Sequence, residues 1–243
     1  MIKDKKRPLL TALGFAIFAA VFIVVTLLLC AVFDRFEDDN AKKVGADALP
    51  VIVIDPGHGG RDGGAIGGNG AVVEKDLNLY IAKTLASLLR IAGYEVVMTR
   101  SEDIMLVDPA VTSSKKASDL SARLKIAESY ENAIFISIHM NAFPNPKYGG
   151  LQVYYSKNHE GSLTLARDIQ ESSRRIDPSN GRKVKAAGEN IYLLHKLSCP
   201  ALLIECGFLS NEAECARLAE DEYRDQLALL FFERISDYIC KNY

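Results

Sequence analysis

Short apolar runs alternate along the chain with longer stretches of helical period, and three of the runs end on a polar residue. Val51-Ile52-Val53-Ile54 leads into Asp55-Pro56-Gly57-His58-Gly59-Gly60. Ala133-Ile134-Phe135-Ile136-Ser137-Ile138 leads into His139-Met140-Asn141, and Ala201-Leu202-Leu203-Ile204 into Glu205-Cys206-Gly207. Runs this short and this apolar read as strands buried on both faces. Between them, Leu77, Ile81, Leu85, Leu88 and Leu89 share one face of a helix predicted from about Glu74 to Ala92, which Gly93 stops. Tyr94–Thr99 reads as the next strand and residues 101–116 as a polar, extended loop. Asp119 is the expected N-cap of a helix running to about Glu131.

Past the second of these runs, Pro144, Pro146, Gly149 and Gly150 bend the chain. Leu151–Tyr155 alternates as a strand, Ser162–Arg175 reads as a helix, and Asp177–Gly188 as a polar loop. Ile191–Leu194 and Ala201–Glu205 are expected as short strands, with helices over Glu212–Ala219 and Glu222–Lys241 closing the chain. Alternating strands and helices predict an α/β fold. It is a single three-layer domain, phosphorylase/hydrolase-like, with a mostly parallel central sheet covered by helices on both faces. In such a sheet ligands gather where the strands end.

The N-terminus has a different pattern. Met1 to Pro8 is basic, with Lys3, Lys5, Lys6 and Arg7, and Leu9 to Phe33 carries no charged residue. At ~1.5 Å per residue that stretch crosses a hydrocarbon core of ~30 Å. It is longer than the ~7–15 apolar residues of a cleavable signal peptide, and no small-x-small site precedes Asp34–Asp39. We read residues 1–8 as a cytoplasmic tail, 9–33 as a transmembrane signal anchor, 34–49 as a linker and 50–243 as an exported domain. A cleaved signal peptide is the alternative, and under either reading the domain works outside the cytoplasm.

Composition narrows the rest. Over 243 residues, 49% are hydrophobic and 25% charged, which suits a packed core, and the net charge of −2 gives no reason to expect nucleic acid. Five cysteines at irregular spacing, with no C-x-x-C pair, make neither a disulfide framework nor a cysteine metal site. Cys199 and Cys206 are expected as buried thiols.

The chemistry rests on four residues. His58 and His139 follow buried strands, Glu74 opens the first helix, and Glu205 ends the last strand. Taken alone, Glu74 is explained by the helix dipole and His139 as a polar cap of the sheet. Taken together, two His and a Glu make a three-ligand zinc site with an open position, and a further Glu serves as its base. Glu205 sits where an unpaired carboxylate is costly, a placement typical of functional acids, although pairing with a core Arg or Lys is the alternative. Of the other two histidines, His159 is expected on the surface and His195 in solvent.

These stretches resemble the zinc-dependent N-acetylmuramoyl-L-alanine amidases of the Amidase_3 type. The matching segments are Ile54–Gly60, Glu74 with Asp76-Leu77-Asn78-Leu79, Thr99-Arg100, Phe135–Ala142 and Leu203–Asn211, in order across about 51–240. The resemblance implies zinc on His58, Glu74 and His139, with Glu205 as catalytic acid/base. The bond cut would be the amide between the lactyl group of N-acetylmuramic acid and L-alanine of the stem peptide. Asn78 and Asn141, inside the matched segments, are the substrate-binding candidates. Within the family the chain most resembles the CwlD type, the membrane-anchored spore-cortex amidases. That implies a role in cortex maturation, muramic-δ-lactam formation and germination, in the cell wall or the forespore intermembrane space. An activating or metal-stabilising partner protein is compatible with it. The stretch Phe143 to Tyr148 replaces the small polar residues expected after His-x-Asn-Ala, and is placed to shape the substrate groove.

Two alternatives of other kinds were weighed. A catalytically silent peptidoglycan-binding scaffold has no support in a lost residue, since all four site candidates are present; a cell-separation amidase of the same family stays open. A nucleotide-binding loop fails on register, because from Gly57 the last glycine of G-x-G-x-x-G falls on Asp62.

Overall fold

The three apolar runs form strands that lie parallel to one another, so they end at one common edge. A computed structural model describes residues 49–243. The expected basic tail and signal anchor, and all but the end of the linker, lie outside the described residues. Among the described residues no helix is long and apolar enough to cross a membrane. The elements, in order, are β1 (Val51–Pro56), β2 (Ile66–Gly67), β3 (Val72–Val73), α1 (Glu74–Ile91), β4 (Val96–Met98), α2 (Lys115–Glu128) and β5 (Ala133–Asn141). They continue with β6 (Gln152–Tyr155), α3 (Glu160–Ser172), β7 (Lys185–Ala186), α4 (Tyr192–Lys196), β8 (Ala201–Phe208), α5 (Glu212–Ala219) and α6 (Asp221–Asn242).

The main sheet has the order β4-β1-β5-β8-β6-β7. β4, β1, β5 and β8 are parallel, while β6 pairs antiparallel with β8 and parallel with β7. β2 and β3 form a separate antiparallel pair. Alternation along the strands sorts side chains onto two faces. Ile52, Ile54, Ile136, Ile138, Leu202 and Ile204 face the larger core, with α1, α3 and α6. Val53, Phe135 and Ala201 face the smaller one, with residues of α2 and α4. Each fully buried aliphatic side chain stabilises by roughly 1.5–3 kcal/mol relative to exposure.

Several expectations change. Ile191–Leu194 is not a strand; Tyr192–Lys196 is a short helix that buries Leu193 and Leu194 against the smaller core. Four apolar residues carry no period of their own, so packing decided the form. The helix before β5 begins earlier than Asp119: Ser114 is the N-cap and accepts from the Ala117 amide. That puts Asp119 inside α2, where it accepts from Arg123 Nε at 2.7 Å. His159 is half-buried rather than on the surface, and caps α3 by accepting from the Gly161 amide. His195 is exposed, as expected. Cys206 is buried and Cys199 only partly so.

Candidate metal centre and acid site

β1 delivers the first candidate ligand through a strained turn. His58 has a φ of 62°, a left-handed conformation that costs a non-glycine residue ~1–2 kcal/mol. The strain is held by two buried arginines that bind the carbonyls around it. Arg123 donates to Pro56 O at 2.8 Å and His58 O at 2.6 Å, while Arg100 donates to Pro56 O and Gly57 O, both at 2.9 Å. Arg123 also donates to Asp55 Oδ1 at 2.6 Å, and Thr99 and Ser137 complete the Asp55 carboxylate, each at 2.7 Å. Burial pushes the Asp55 carboxyl up, but Arg123 and these hydrogen bonds outweigh it and hold it below its ordinary range. Neither arginine, nor Asp55, carries a pattern in the sequence that would reveal this clamp.

α1 delivers the second. Its first turn has no side-chain cap; instead the Glu74 and Lys75 amides donate to Ala65 O and Gly63 O of the glycine-rich loop. Glu74 is therefore fixed at the sheet edge, 3% exposed. Its Oε1 lies 3.2 Å from His58 Nε2 and 3.0 Å from His139 Nδ1, and accepts from the Met140 amide at 3.0 Å. Its Oε2 accepts from the Ala65 amide at 2.7 Å. Burial pushes the Glu74 carboxyl up, but both histidines outweigh it and hold it far below the usual carboxylate range.

β5 delivers the third, His139, which meets His58 edge to face at 5.0 Å. Two glycines make room for this crowding. A Cβ at Gly57 would lie 2.2 Å from the His139 ring, and one at Gly64 would lie 2.4 Å from Glu74 Oε2. Behind His58, its Nδ1 stands 2.9 Å from Asp62 Oδ2. Burial lowers the His58 pKa, but Glu74 and Asp62 more than reverse it.

The donor atoms of His58, Glu74 and His139 all lie within 4.8 Å of one another. Two imidazole nitrogens and a carboxylate oxygen, converging from three elements, are a donor set that suits zinc with one position left over. A cavity of about 120 Å³ opens against them, lined by His58, His139, Asp62, Lys116 and Leu193. A wider apolar cavity of about 560 Å³ lies between the 104–107 segment and Gly60, away from the cluster.

Glu205 stands beside this set. It is register partner to His139 on the adjacent parallel strand, so the two side chains rise on the same face. One of its oxygens, Oε2, is buried and has no hydrogen-bond partner among the described residues. Burial raises its carboxyl pKa to about 7; His139 lowers it and Glu74 raises it.

The two asparagines part ways. Asn141 is half-buried at the end of β5. Asn78 is fully buried and donates to Gly57 O at 3.1 Å, with Glu74 Oε1 at 3.4 Å. It is fully enclosed by the protein, so its contacts support Gly57 and Glu74 from within rather than reaching a substrate. Asp62 was missed by sequence reasoning; the signal was an acid four residues after His58 in a loop otherwise made mostly of glycine.

Comparison with known proteins identifies the family. The profile of a family described as N-acetylmuramoyl-L-alanine amidase matches residues 52–237. The germination-specific N-acetylmuramoyl-L-alanine amidase of Bacillus subtilis is 38% identical over 225 residues, covering 90% of this chain and 94% of that protein. The solved CwlD amidase from Clostridioides difficile, in complex with the GerS lipoprotein, superposes with a TM-score of 0.75 at 38% identity, covering 79% of this chain and all of that one. The catalytic domain of CwlV from Bacillus (Paenibacillus) polymyxa gives 0.68 at 30% identity, covering 79% and 99%.

Proposed function

The chain belongs to the N-acetylmuramoyl-L-alanine amidase family, and from that premise we propose that His58, Glu74 and His139 hold zinc while Glu205 is the catalytic acid/base. The bond cut is the amide joining the lactyl group of N-acetylmuramic acid to L-alanine. The observation that carries the reading is the unpartnered Glu205 carboxylate oxygen in register with His139, one of the three converging donors.

Zinc held by His58, Glu74 and His139 would supply a positive charge able to acidify water and polarise a carbonyl. The chain does the rest. Glu74, held ionised, brings an anion to the cluster, and the clamp on residues 56–58 presets His58. Glu205 takes the proton of the attacking water and then delivers it to the departing alanine nitrogen. A carboxyl that titrates near neutrality in the metal-free protein suits both halves of that relay. Asn141, half-buried at the end of β5, would bind the substrate.

The setting we propose is the spore cortex and germination; the B. subtilis relative is named germination-specific. The apolar stretch 9–33 would anchor the chain, with the catalytic domain outside the cytoplasm. A partner protein of that space, comparable to the lipoprotein bound to the C. difficile enzyme, would join it. The test is digestion of purified peptidoglycan by the full chain, with and without a zinc chelator. Newly freed alanine amino groups, suppressed by the chelator and restored by zinc, are expected. Release that ignores the chelator, or a different new terminus, would overturn the reading.

A further inference from the structure

The two most exposed aromatic rings among the described residues stand together beside this site. Phe143 is 48% exposed and Tyr148 49%, and their rings meet edge to face at 4.9 Å and 79°. Their loop is tied to the site at both ends. It leaves β5 just after His139 and Asn141, and it enters β6 at Gln152, the antiparallel register partner of Glu205. The rings therefore lie at the edge where the strands deliver the cluster.

The loop is also built to hold them outward. Phe143 N donates to Ser210 Oγ at 3.0 Å, and Asn211 Nδ2 to Pro146 O at 2.9 Å. Within the loop, Tyr148 N donates to Asn145 O at 3.3 Å and Lys147 N to Asn145 Oδ1 at 3.0 Å. Gly150 N donates to the buried Glu214 carboxylate at 2.6 Å. Backbone anchoring fixes the loop without drawing either ring into a core. Two apolar rings kept in water on a pinned loop are a contact surface rather than packing.

We propose that Phe143 and Tyr148 form a stacking platform for a pyranose ring of the glycan strand, beyond the sugar whose amide is cut. This rests on the amidase reading above and adds to it a reason to act on polymer. The negative face of an aromatic ring attracts the polarised C–H groups on the apolar face of a pyranose, and the perpendicular pair offers one such face with an edge to bound it. Lys147, next to Tyr148 in the chain, and the Ser210 hydroxyl that holds Phe143 add groups able to bind sugar hydroxyls.

The experiment compares the full chain with its Phe143→Ala/Tyr148→Ala double variant on two substrates: soluble peptidoglycan strands many sugars long, and a single-sugar muramoyl peptide. On the long strands kcat/KM should fall about tenfold, mostly through KM, and by at least ~5-fold less on the single sugar. Phe143→Tyr and Tyr148→Phe should preserve the preference. In parallel, Glu205→Gln protein should bind glycan strands stripped of their stem peptides, and adding the double substitution should weaken that binding about tenfold with zinc content unchanged. The binding arm needs no turnover, so it reads the platform even if the amidase assignment fails. Equal losses on both substrates would make the loop a support of the cluster and overturn the proposal. No loss in either arm would assign the rings to something else, such as a protein partner, and overturn it too.

Discussion

Glu74 and Glu205 are two glutamates at one sheet edge, yet the first has both oxygens engaged and the second has a buried oxygen with no partner. Their carboxyls are displaced in opposite directions, Glu74 far below its ordinary range and Glu205 up to about 7. Burial pushes both up. What separates them is company: two histidines and two backbone amides converge on Glu74, whereas around Glu205 the same Glu74 charge adds to the penalty. A metal ligand must stay ionised and still, while a proton carrier must be free and able to hold a proton near neutrality. Under the roles proposed above, the two halves of the site would meet these opposite demands with the same residue type.

Exchanging each glutamate for its amide tests that contrast most directly. Glu205→Gln should keep zinc and fold but lose cleavage by roughly three orders of magnitude, because only the proton relay is gone. Glu74→Gln should lose zinc together with activity. Metal content by atomic emission, alongside amine release, separates the two; a Glu205→Gln enzyme that cleaves normally would mean the base lies elsewhere.

The next largest effect belongs to the clamp. Arg123 is 2% exposed and pairs with Asp55, itself 1% exposed, as well as Asp119. Arg123→Met would leave the Asp55 charge buried with only its hydroxyl partners, a loss of about 3–5 kcal/mol in stability. Denaturant unfolding of the metal-free protein measures it. Loss of a comparable amount from Arg175→Met, whose side chain is 56% exposed and whose partner Glu233 is 37% exposed, would contradict the assignment of the energy to burial.

Glu205 should instead weaken the metal-free fold, and only above a certain pH. Its folded pKa of about 7 lies above the ordinary 4.5. Below pH 4.5 the carboxyl is protonated folded or unfolded, and contributes nothing. As pH rises from 4.5 to 7 the unfolded chain releases a proton that the folded chain retains, so stability falls, levelling off at a cost on the order of 3 kcal/mol. Glu205→Gln should thus stabilise the metal-free protein at pH 8 and not at pH 4. Zinc opposes that cost, so the gain should shrink in the loaded enzyme. Melting curves at the two pH values, with and without chelator, check both statements.

Much of this was legible before any coordinates, for a physical reason. Buried strands write themselves as uninterrupted apolar runs, and a polar residue ending one falls at the functional edge. His58, His139 and Glu205 announced themselves that way, and Glu74 by opening an amphipathic helix. What the sequence hid depends on tertiary distance. The guanidiniums of Arg100 and Arg123 reach the carbonyls of residues 56–58 from far along the chain. Asn78 reads like a substrate residue by position, and only packing shows it fully buried against Gly57 and Glu74. The short run Ile191–Leu194 carries too few residues to display a period, so its helical form came from its neighbours. The reversal of β6 was likewise invisible, since a strand's direction is decided by the loop that precedes it.

Asp62 gives the smallest and finest test, because it belongs to the metal half without touching the cluster's centre. Its carboxylate lies 2.9 Å from His58 Nδ1, while His58 Nε2 faces Glu74. A carboxylate behind a ligating imidazole fixes the tautomer and orientation of the ring and raises its basicity, and losing one typically costs 10–100-fold in metal affinity. Asp62 is one-third exposed, so Asp62→Ala should fold normally. Zinc competition against a chelator should show affinity weakened by about 10–100-fold, with Asp62→Asn intermediate because an amide oxygen still accepts from Nδ1–H. At saturating zinc the activity of both variants should largely return, which no Glu205 variant would do. Should Asp62→Ala bind zinc as tightly as the parent, the Arg123 and Arg100 clamp would suffice to orient His58, and the metal half would owe its rigidity to the backbone alone.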